Sequence, residues 1–235
     1  LEEGYHYMPK VDDGANYSWL ALFDAMYKGK FTGFFAWGMN PACSGAHSNK
    51  VRQAMGKLDW MVNVNLFDNE TGSFWRGPGM DPKKIKTEVF MLPCAASVEK
   101  EGSISNSGRW MQWRYKAVDP PGEAMPDGEI MTEILYKVKE LYLKEGGVFP
   151  DPITKLTWDY GPKGADGKIR IYDPHAVAKE INGFFLEDKK VEDPTKKGVF
   201  KEFKKGDPVP AFAWLQDDGS TSSGCWIYCN SYAEK

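Results

Sequence analysis

A run of polar and aromatic residues, EKEGSISNSGRWMQWRYKAVDPP, extends from Glu99 to Pro121. It brings together acids, a lysine, an asparagine, arginines and tryptophans, many of which can hydrogen-bond to a large polar ligand. Lys100 is the candidate ligand-binding cation of this run. A lysine between two glutamates is also typical of a solvated surface, so the residues alone leave two interpretations open: an ordinary loop, or one wall of a binding site.

Similar polar residues follow two earlier apolar runs. In GMNP, Gly38 allows a ligand to approach the backbone closely, and Asn40 offers both a donor and an acceptor. Asn65 and Asn69 flank the end of the next apolar run. These asparagines are candidates for binding a ligand amide or hydroxyl. The alternative is that GMNP is a plain turn and that the asparagines satisfy the backbone of their loops.

Asp127 precedes the predicted helix 129–143, where an N-cap residue would stand. A carboxylate can also accept two hydrogen bonds from the N1–H and the amino group of a guanine. Capping and guanine recognition compete for the same oxygens, and both hypotheses are kept.

The usual catalytic motifs are absent from the sequence, which has no Walker A loop, GxGxxG, GxSxG or HExxH. The histidines, His6, His47 and His175, have no acid or cysteine partner at a recognisable spacing, and we expect surface or loop roles for them. No catalytic residue and no metal ligand is therefore assigned.

Four cysteines, at positions 43, 94, 225 and 229, form no CxxC pair and no iron–sulfur ligand pattern. Cys225 and Cys229 are close enough in sequence to bind a metal or to form a disulfide. With the other two cysteines far away and histidine scarce, buried thiols are the alternative.

Composition limits the class of protein. The 235 residues are 42% hydrophobic and 14% aromatic, which is enough for a substantial core. The net charge is −3 and no basic stripe occurs, so we expect no nucleic-acid partner. No apolar run is long enough to span a membrane. The start, LEEGYHYMPK, resembles neither an initiator region nor a signal peptide, and we expect an internal piece of a longer protein.

Hydrophobic spacing predicts an alternation of helices at 16–28, 48–58 and 129–143 with strands at 33–38, 60–64 and 87–93. This order is typical of an α/β fold with a doubly wound, mostly parallel sheet. Ligands bind beyond the carboxyl ends of such strands. We therefore expect Asn40, Asn65 and Lys100, which follow the three strands, to meet at one edge.

The second part of the chain has a different character. Residues 144–235 are rich in Pro, Gly and lysine runs, and only 174–185 is predicted to be helical. We divide the chain into an α/β domain, 1–143, and a loop-rich extension, 144–235, which leads toward a further unit at WIY.

Three stretches resemble the catalytic subunit of molybdenum- or tungsten-dependent formate dehydrogenases. They are FFAWGMNPACSGAHSNKVRQAMGKLDWMVNVNLFDNETGSFW, EVFMLPCAASVEKEGSISNSGRWMQWRYKAVDPPGEAMPDGEI and SGCWIY. The motif LP-x5-EKEGS-x2-N-x2-GR-x2-Q is similar to that of oxidoreductases with a bis(molybdopterin guanine dinucleotide) cofactor. Its continuation, WRYKAVDPPGEA, resembles the formate dehydrogenase branch.

The resemblance implies roles for individual residues. The chain would be one of two α/β domains that each hold one dinucleotide. Asn40 would contact the dinucleotide, Asn65 its ribose or guanine, and Asp127 its guanine, with Lys100 near the cofactor. The polar run would then be a cofactor-facing wall.

The resemblance also implies where the chemistry takes place. Formate is oxidised at a W or Mo ion held by dithiolene sulfurs and a Cys or selenocysteine, and a 4Fe-4S cluster removes the electrons. Those groups would lie elsewhere in the subunit, so this piece alone is expected to be inactive. The expected partners are the rest of the subunit, an iron–sulfur electron-transfer subunit and formate, in the periplasm.

Two other functions remain open at this point. One is another bis-dinucleotide molybdenum enzyme, of the nitrate or thiosulfate reductase type, against which the continuation after Arg109 argues. The other is a non-catalytic nucleotide-binding module.

Overall fold

The computed structural model describes residues 16–106, 108, 110–169 and 171–232. His6 and Arg109 lie outside these ranges. The described residues form two compact units. The sheet unit holds those up to Ala96 together with Pro120–Asp127, and the extension unit holds Ser97–Asp119 together with those from Gly128 onward.

A three-stranded parallel sheet organises the sheet unit, in the order β1-β2-β3. Its helices and strands, in chain order, are α1 (Trp19–Tyr27), β1 (Gly33–Trp37), α2 (Pro41–Ser44), α3 (Ser48–Met55), β2 (Trp60–Asn65) and β3 (Glu88–Pro93), with 3-10 turns at Phe74–Arg76 and Pro82–Lys84. The predicted α/β class with a parallel sheet is confirmed.

Local capping starts the two longer helices of this unit. Ser18 caps α1 by accepting a hydrogen bond from the backbone N–H of Ala21. For α3, a serine at the start of the helical stretch would be a usual cap, but Ser48 is already the first helical residue. His47 is the cap instead: it adopts a left-handed backbone with φ of 61°, and its Nδ1 accepts the N–H of Lys50 at 3.2 Å.

The core of the sheet unit lies on one face of the sheet. Phe34, Met61 and Val89 stand in register across the three strands on this face. They pack with the buried side chains of α1 and α3, which include Phe23, Met26, Val51, Ala54 and Met55. Strand residues alternate between faces, so Phe35, Val62 and Phe90 lie on the opposite face.

The extension unit contains more regular structure than the sequence predicted. Its elements, in chain order, are β4 (Gly102–Ser105), β5 (Met111–Arg114), α4 (which begins in the sheet unit, Asp127–Glu145), α5 (Asp151–Thr154), α6 (Pro174–Asn182), β6 (Lys189–Glu192) and β7 (Phe200–Phe203), with 3-10 turns at Phe212–Trp214 and Trp226–Tyr228. Two antiparallel hairpins, β4–β5 and β6–β7, were not predicted.

A fully buried asparagine ties distant parts of the extension unit together. Asn182, the last residue of α6, donates from Nδ2 to the carbonyl oxygens of Gly183 and Val209. Its Oδ1 accepts the backbone N–H groups of Ser231 and Tyr232 at 3.1 and 3.2 Å. All the hydrogen bonds needed by a buried amide are thus supplied from three segments.

Candidate functional site

Asn40 joins the loops that follow β1 and β2. Its Nδ2 donates to Glu70 Oε2 at 2.6 Å, and its Oδ1 accepts the hydroxyl of Thr71 at 2.9 Å. The fully buried Thr71 in turn accepts the backbone N–H of Ala42 at 3.0 Å. The hydrogen bond from Asn40 lowers the pKa of Glu70. Asn40 is therefore held in a fixed orientation between two strand ends.

Asn65 fixes the same two loops from the end of β2. Its Nδ2 donates to the carbonyl oxygen of Met39 at 3.1 Å, and its Oδ1 accepts the N–H of Leu66. Gly38, which directly follows β1, has φ of 61°, a backbone conformation that favours glycine. Its N–H donates to the carbonyl oxygen of Val64 in β2. Gly38, Asn40 and Asn65 thus lie together at the carboxyl edge of the parallel sheet.

Asn69 shapes the loop beyond β2. Its Oδ1 accepts two backbone N–H groups, those of Thr71 at 3.1 Å and Gly72 at 3.0 Å. This arrangement is an Asx turn, the alternative that the sequence had left open beside ligand binding. Asn69 also lines an open cleft of about 540 Å³. The other residues of this cleft are Arg52, Asp68, Glu70, Ser73, Arg76, Gly77 and Pro78.

Two arginines of this cleft were missed by sequence reasoning. Arg52 is held by hydrogen bonds to Asn49 Oδ1 at 2.5 Å and to the carbonyl of Ala42, while its Nε is buried without a partner. Arg76 lies 3.7 Å from Asp68. Arg52 could have been noticed in the sequence because it stands in a helix beside the buried positions Val51, Ala54 and Met55, where a cation is unexpected.

Asp127 lies at the same edge of the sheet, through contacts that the sequence did not predict. The backbone of Met125 pairs with Pro93, the last residue of β3, and with Ala95 just beyond it. Asp127 Oδ1 then accepts the indole N–H of Trp37, the last residue of β1, at 2.7 Å. Helix α4 starts at Asp127, two residues before the predicted start, so the carboxylate stands in the first turn, where the helix dipole favours an anion.

The polar run that contains Lys100 belongs to the extension unit and forms the β4–β5 hairpin. Glu101 accepts the indole N–H of Trp113 at 3.1 Å and lies 2.9 Å from His175 Nε2 at the start of α6. The rings of Trp113 and His175 are 4.4 Å apart. His175 thus has an acid partner that its sequence spacing concealed. The expectation that Lys100 joins Asn40 and Asn65 stays a prediction.

None of the four cysteines forms a disulfide in the described part of the chain. Cys229 donates its S–H to the carbonyl of Cys225 at 3.6 Å, and burial raises the pKa of Cys229.

Across the described ranges, no three or more His, Cys, Asp or Glu side chains are grouped to hold a metal ion. Within those ranges, no helix is both long and apolar enough to cross a membrane.

Comparison with known proteins gives matches along the whole chain. It is 59% identical to formate dehydrogenase subunit alpha of Megalodesulfovibrio gigas over 235 residues, all of this chain and 22% of that protein. It is 47% identical to formate dehydrogenase 2 subunit alpha (cytochrome c-553) of Nitratidesulfovibrio vulgaris over 231 residues, 98% of this chain and 21% of that protein.

A third relative is less similar in sequence. The nitrate-inducible formate dehydrogenase major subunit of Escherichia coli is 42% identical over 238 residues, which covers 99% of this chain and 22% of that protein. The chain therefore spans about a fifth of the length of these relatives. No family model matches the chain.

Proposed function

Because this chain belongs to the formate dehydrogenase alpha-subunit family, we propose that it is the part of such a subunit that binds one molybdopterin guanine dinucleotide of a W or Mo cofactor. The parent protein is proposed to oxidise formate to carbon dioxide. When bound, the cofactor would supply the two-electron acceptor for formate oxidation, which yields carbon dioxide, one proton and two electrons. The residues of this chain bind and orient the cofactor, and no catalytic residue is assigned to them.

The carboxyl edge of the sheet supports this proposal. Side chains from three separate segments, Asn40, Asn65 and Asp127, are held there by hydrogen bonds within the protein. A prearranged polar edge avoids the ordering of side chains that weakens binding. Parallel α/β sheets bind nucleotides at this position.

The donors and acceptors at this edge fit a guanine dinucleotide. Guanine presents an N1–H and an amino group side by side, and one carboxylate can accept several hydrogen bonds at once. Asp127 is the acceptor proposed for this pair. The cleft beside Asn69 adds the guanidinium groups of Arg52 and Arg76, which suit the diphosphate of a dinucleotide. Gly38 leaves room for the ligand at the backbone.

Further partners follow from the family as proposals. We propose a 4Fe-4S cluster elsewhere in the parent chain, a separate iron–sulfur electron-transfer subunit and a periplasmic location. The name of the Nitratidesulfovibrio vulgaris relative associates that enzyme with cytochrome c-553.

The test uses the full-length parent protein. Metal analysis and acid release of GMP are expected to give about one W or Mo and two GMP per alpha subunit, together with formate-dependent dye reduction. Absence of metal and of GMP from active preparations would contradict the proposal. Metal and GMP without formate oxidation would point to another enzyme of the bis-dinucleotide class.

A further inference from the structure

One face of the parallel sheet carries a cluster of aromatic side chains open to solvent. This aromatic face consists of Gly33, Phe35, Trp60, Val62 and Phe90. Phe35, Val62 and Phe90 stand in register across the three strands, and Gly33 stands beside Trp60. Phe35 is 44% exposed, Trp60 36% and Phe90 45%.

The side chains of the aromatic face pack against the sheet and against one another. The Trp60 ring lies directly over Gly33, so that a Cβ on Gly33 would come within 2.1 Å of it. The rings of Phe35 and Trp60 meet edge to face, with centroids 5.4 Å apart. Such a surface resembles a packing interface more than scattered apolar residues.

Parallel sheets are almost always covered on both faces, usually by helices. Here the helices α1 and α3 pack on the face that carries Phe34, Met61 and Val89. The exposed aromatic rings are on the other side. The rings near the start of the strands therefore lack such a cover, whereas Val64, further along the same face, is fully buried.

We propose that the aromatic face is the docking site of an amphipathic helix from the part of the alpha polypeptide that lies outside these 235 residues. The chain covers only 21–22% of the length of its relatives, so such a segment is available in the parent protein. This inference concerns assembly of the subunit and does not depend on which ligand the carboxyl edge binds.

The size of the surface favours one helix over a second subunit. Aromatic side chains bury about 150–250 Å² each, so three that are roughly two-fifths exposed offer roughly 200–300 Å². A stable interface between separate proteins needs about 800 Å² on each partner. The aromatic face is too small to hold a dimer by itself but large enough for the apolar stripe of a helix.

A photo-crosslinking experiment on the full-length alpha subunit tests the proposal. Phe35 and, separately, Phe90 are replaced by p-benzoylphenylalanine, and the crosslinked peptides are identified by mass spectrometry. Both probes are expected to reach one segment outside the 235 residues, at positions three, four or seven apart. The same replacement at Leu20, an exposed position on α1, is the control and is expected not to reach that segment.

Other crosslinks overturn the proposal. These are crosslinks to a second copy or another subunit, seen as a larger band on a denaturing gel, and crosslinks within the 235 residues. Positions two apart, as in a strand, or no crosslink also overturn it.

A second measurement needs no substitution. Hydroxyl-radical footprinting of the unmodified subunit is expected to oxidise Phe35, Trp60 and Phe90 at least tenfold more slowly than in the denatured subunit. Less than tenfold protection would show that the face is open to solvent.

Discussion

Trp37 at the end of β1 donates its indole N–H to Asp127 at the start of α4, over 2.7 Å and across 90 positions of sequence. This hydrogen bond holds Asp127, the first residue of α4, at the carboxyl edge of the sheet. The same carboxylate is the proposed acceptor for guanine, so one residue connects the folding of this edge with its proposed ligand.

Replacement of Trp37 by Phe keeps an aromatic ring and removes the donor. A hydrogen bond to a charged group contributes about 1.5–3 kcal/mol. Amides at the start of α4 are therefore expected to exchange with deuterium about ten to a hundred times faster in the full-length subunit. Phe34→Leu, on the core face of the same strand, is the matched control for general loosening of β1. Unchanged exchange at residues 128–131 would show that this bond does not hold the helix.

Asp127→Asn separates anchoring from ligand recognition. The amide oxygen of Asn can still accept from Trp37, and Asn is tolerated near helix starts about as well as Asp. Its NH2 group would face the donors of guanine, and the charge is lost. We expect near-normal exchange in α4 but a clear loss of GMP and metal from the full-length subunit. Full cofactor content would remove Asp127 from the site.

Thr71→Val tests the bridge between the loops after β1 and β2. Valine fills the same space but leaves the Ala42 N–H without its acceptor and Asn40 without the hydroxyl. A buried group left unsatisfied costs about 1–3 kcal/mol. Exchange in residues 39–44 is expected to rise at least fivefold and cofactor content to fall. Thr71→Ser, which keeps the hydroxyl, should behave almost like the wild type, and equal effects of Val and Ser would contradict the bridge.

The contact between α1 and α3 is expected to weaken in acid. Lys28 and Lys50 each lie 2.5 Å from the Asp24 carboxylate, and these hydrogen bonds lower its pKa from 3.8 to about 2. A lowered folded-state pKa means that the contribution is present above about pH 3.8 and is lost as the pH falls toward 2.

The measurement for this contact is the protection of α1 amides, corrected for intrinsic exchange rates, between pH 5 and 2. Protection of these amides in the wild type should fall across that window. In Asp24→Asn, protection should already be lower at pH 5 and should lack the fall that protonation of Asp24 causes. Identical pH profiles for the two proteins would assign the acid sensitivity to other groups.

The parallel sheet was predictable because its strands are short apolar runs ended by glycine, asparagine or proline. GFFAW and WMVNV each bury side chains, and EVFMLP packs the half-buried Val89 against the core. The apolar residues of each strand are neighbours in the sequence, so a local pattern reveals them. The β4–β5 hairpin was missed because GSIS and MQWR are short and polar, so their pairing depends on neighbours such as His175 rather than on hydrophobic spacing.

Two residues of the candidate site could be placed from the sequence, but their hydrogen-bond partners could not. The position of Asn40 and Asn65 after strands was enough to place them at one edge. Their contacts with Thr71, Glu70 and Met39 depend on how separate loops fold back, which no local pattern specifies. The same holds for Trp37 and Asp127, because a tryptophan at a strand end gives no sign of its acceptor 90 residues later.

Two of the four hydrogen bonds of Asn182 can form only after residues much later in the chain have been synthesised. Ser231 and Tyr232, which satisfy its buried oxygen, are made 49 and 50 residues after it. At roughly 5–20 residues per second, the side-chain oxygen of Asn182, at the end of α6, lacks these two donors for about 2–10 s of synthesis. During that time the amide must remain hydrated, so we expect this part of the extension to stay open to protease in nascent chains arrested at residue 225 and to close in chains that expose residue 232.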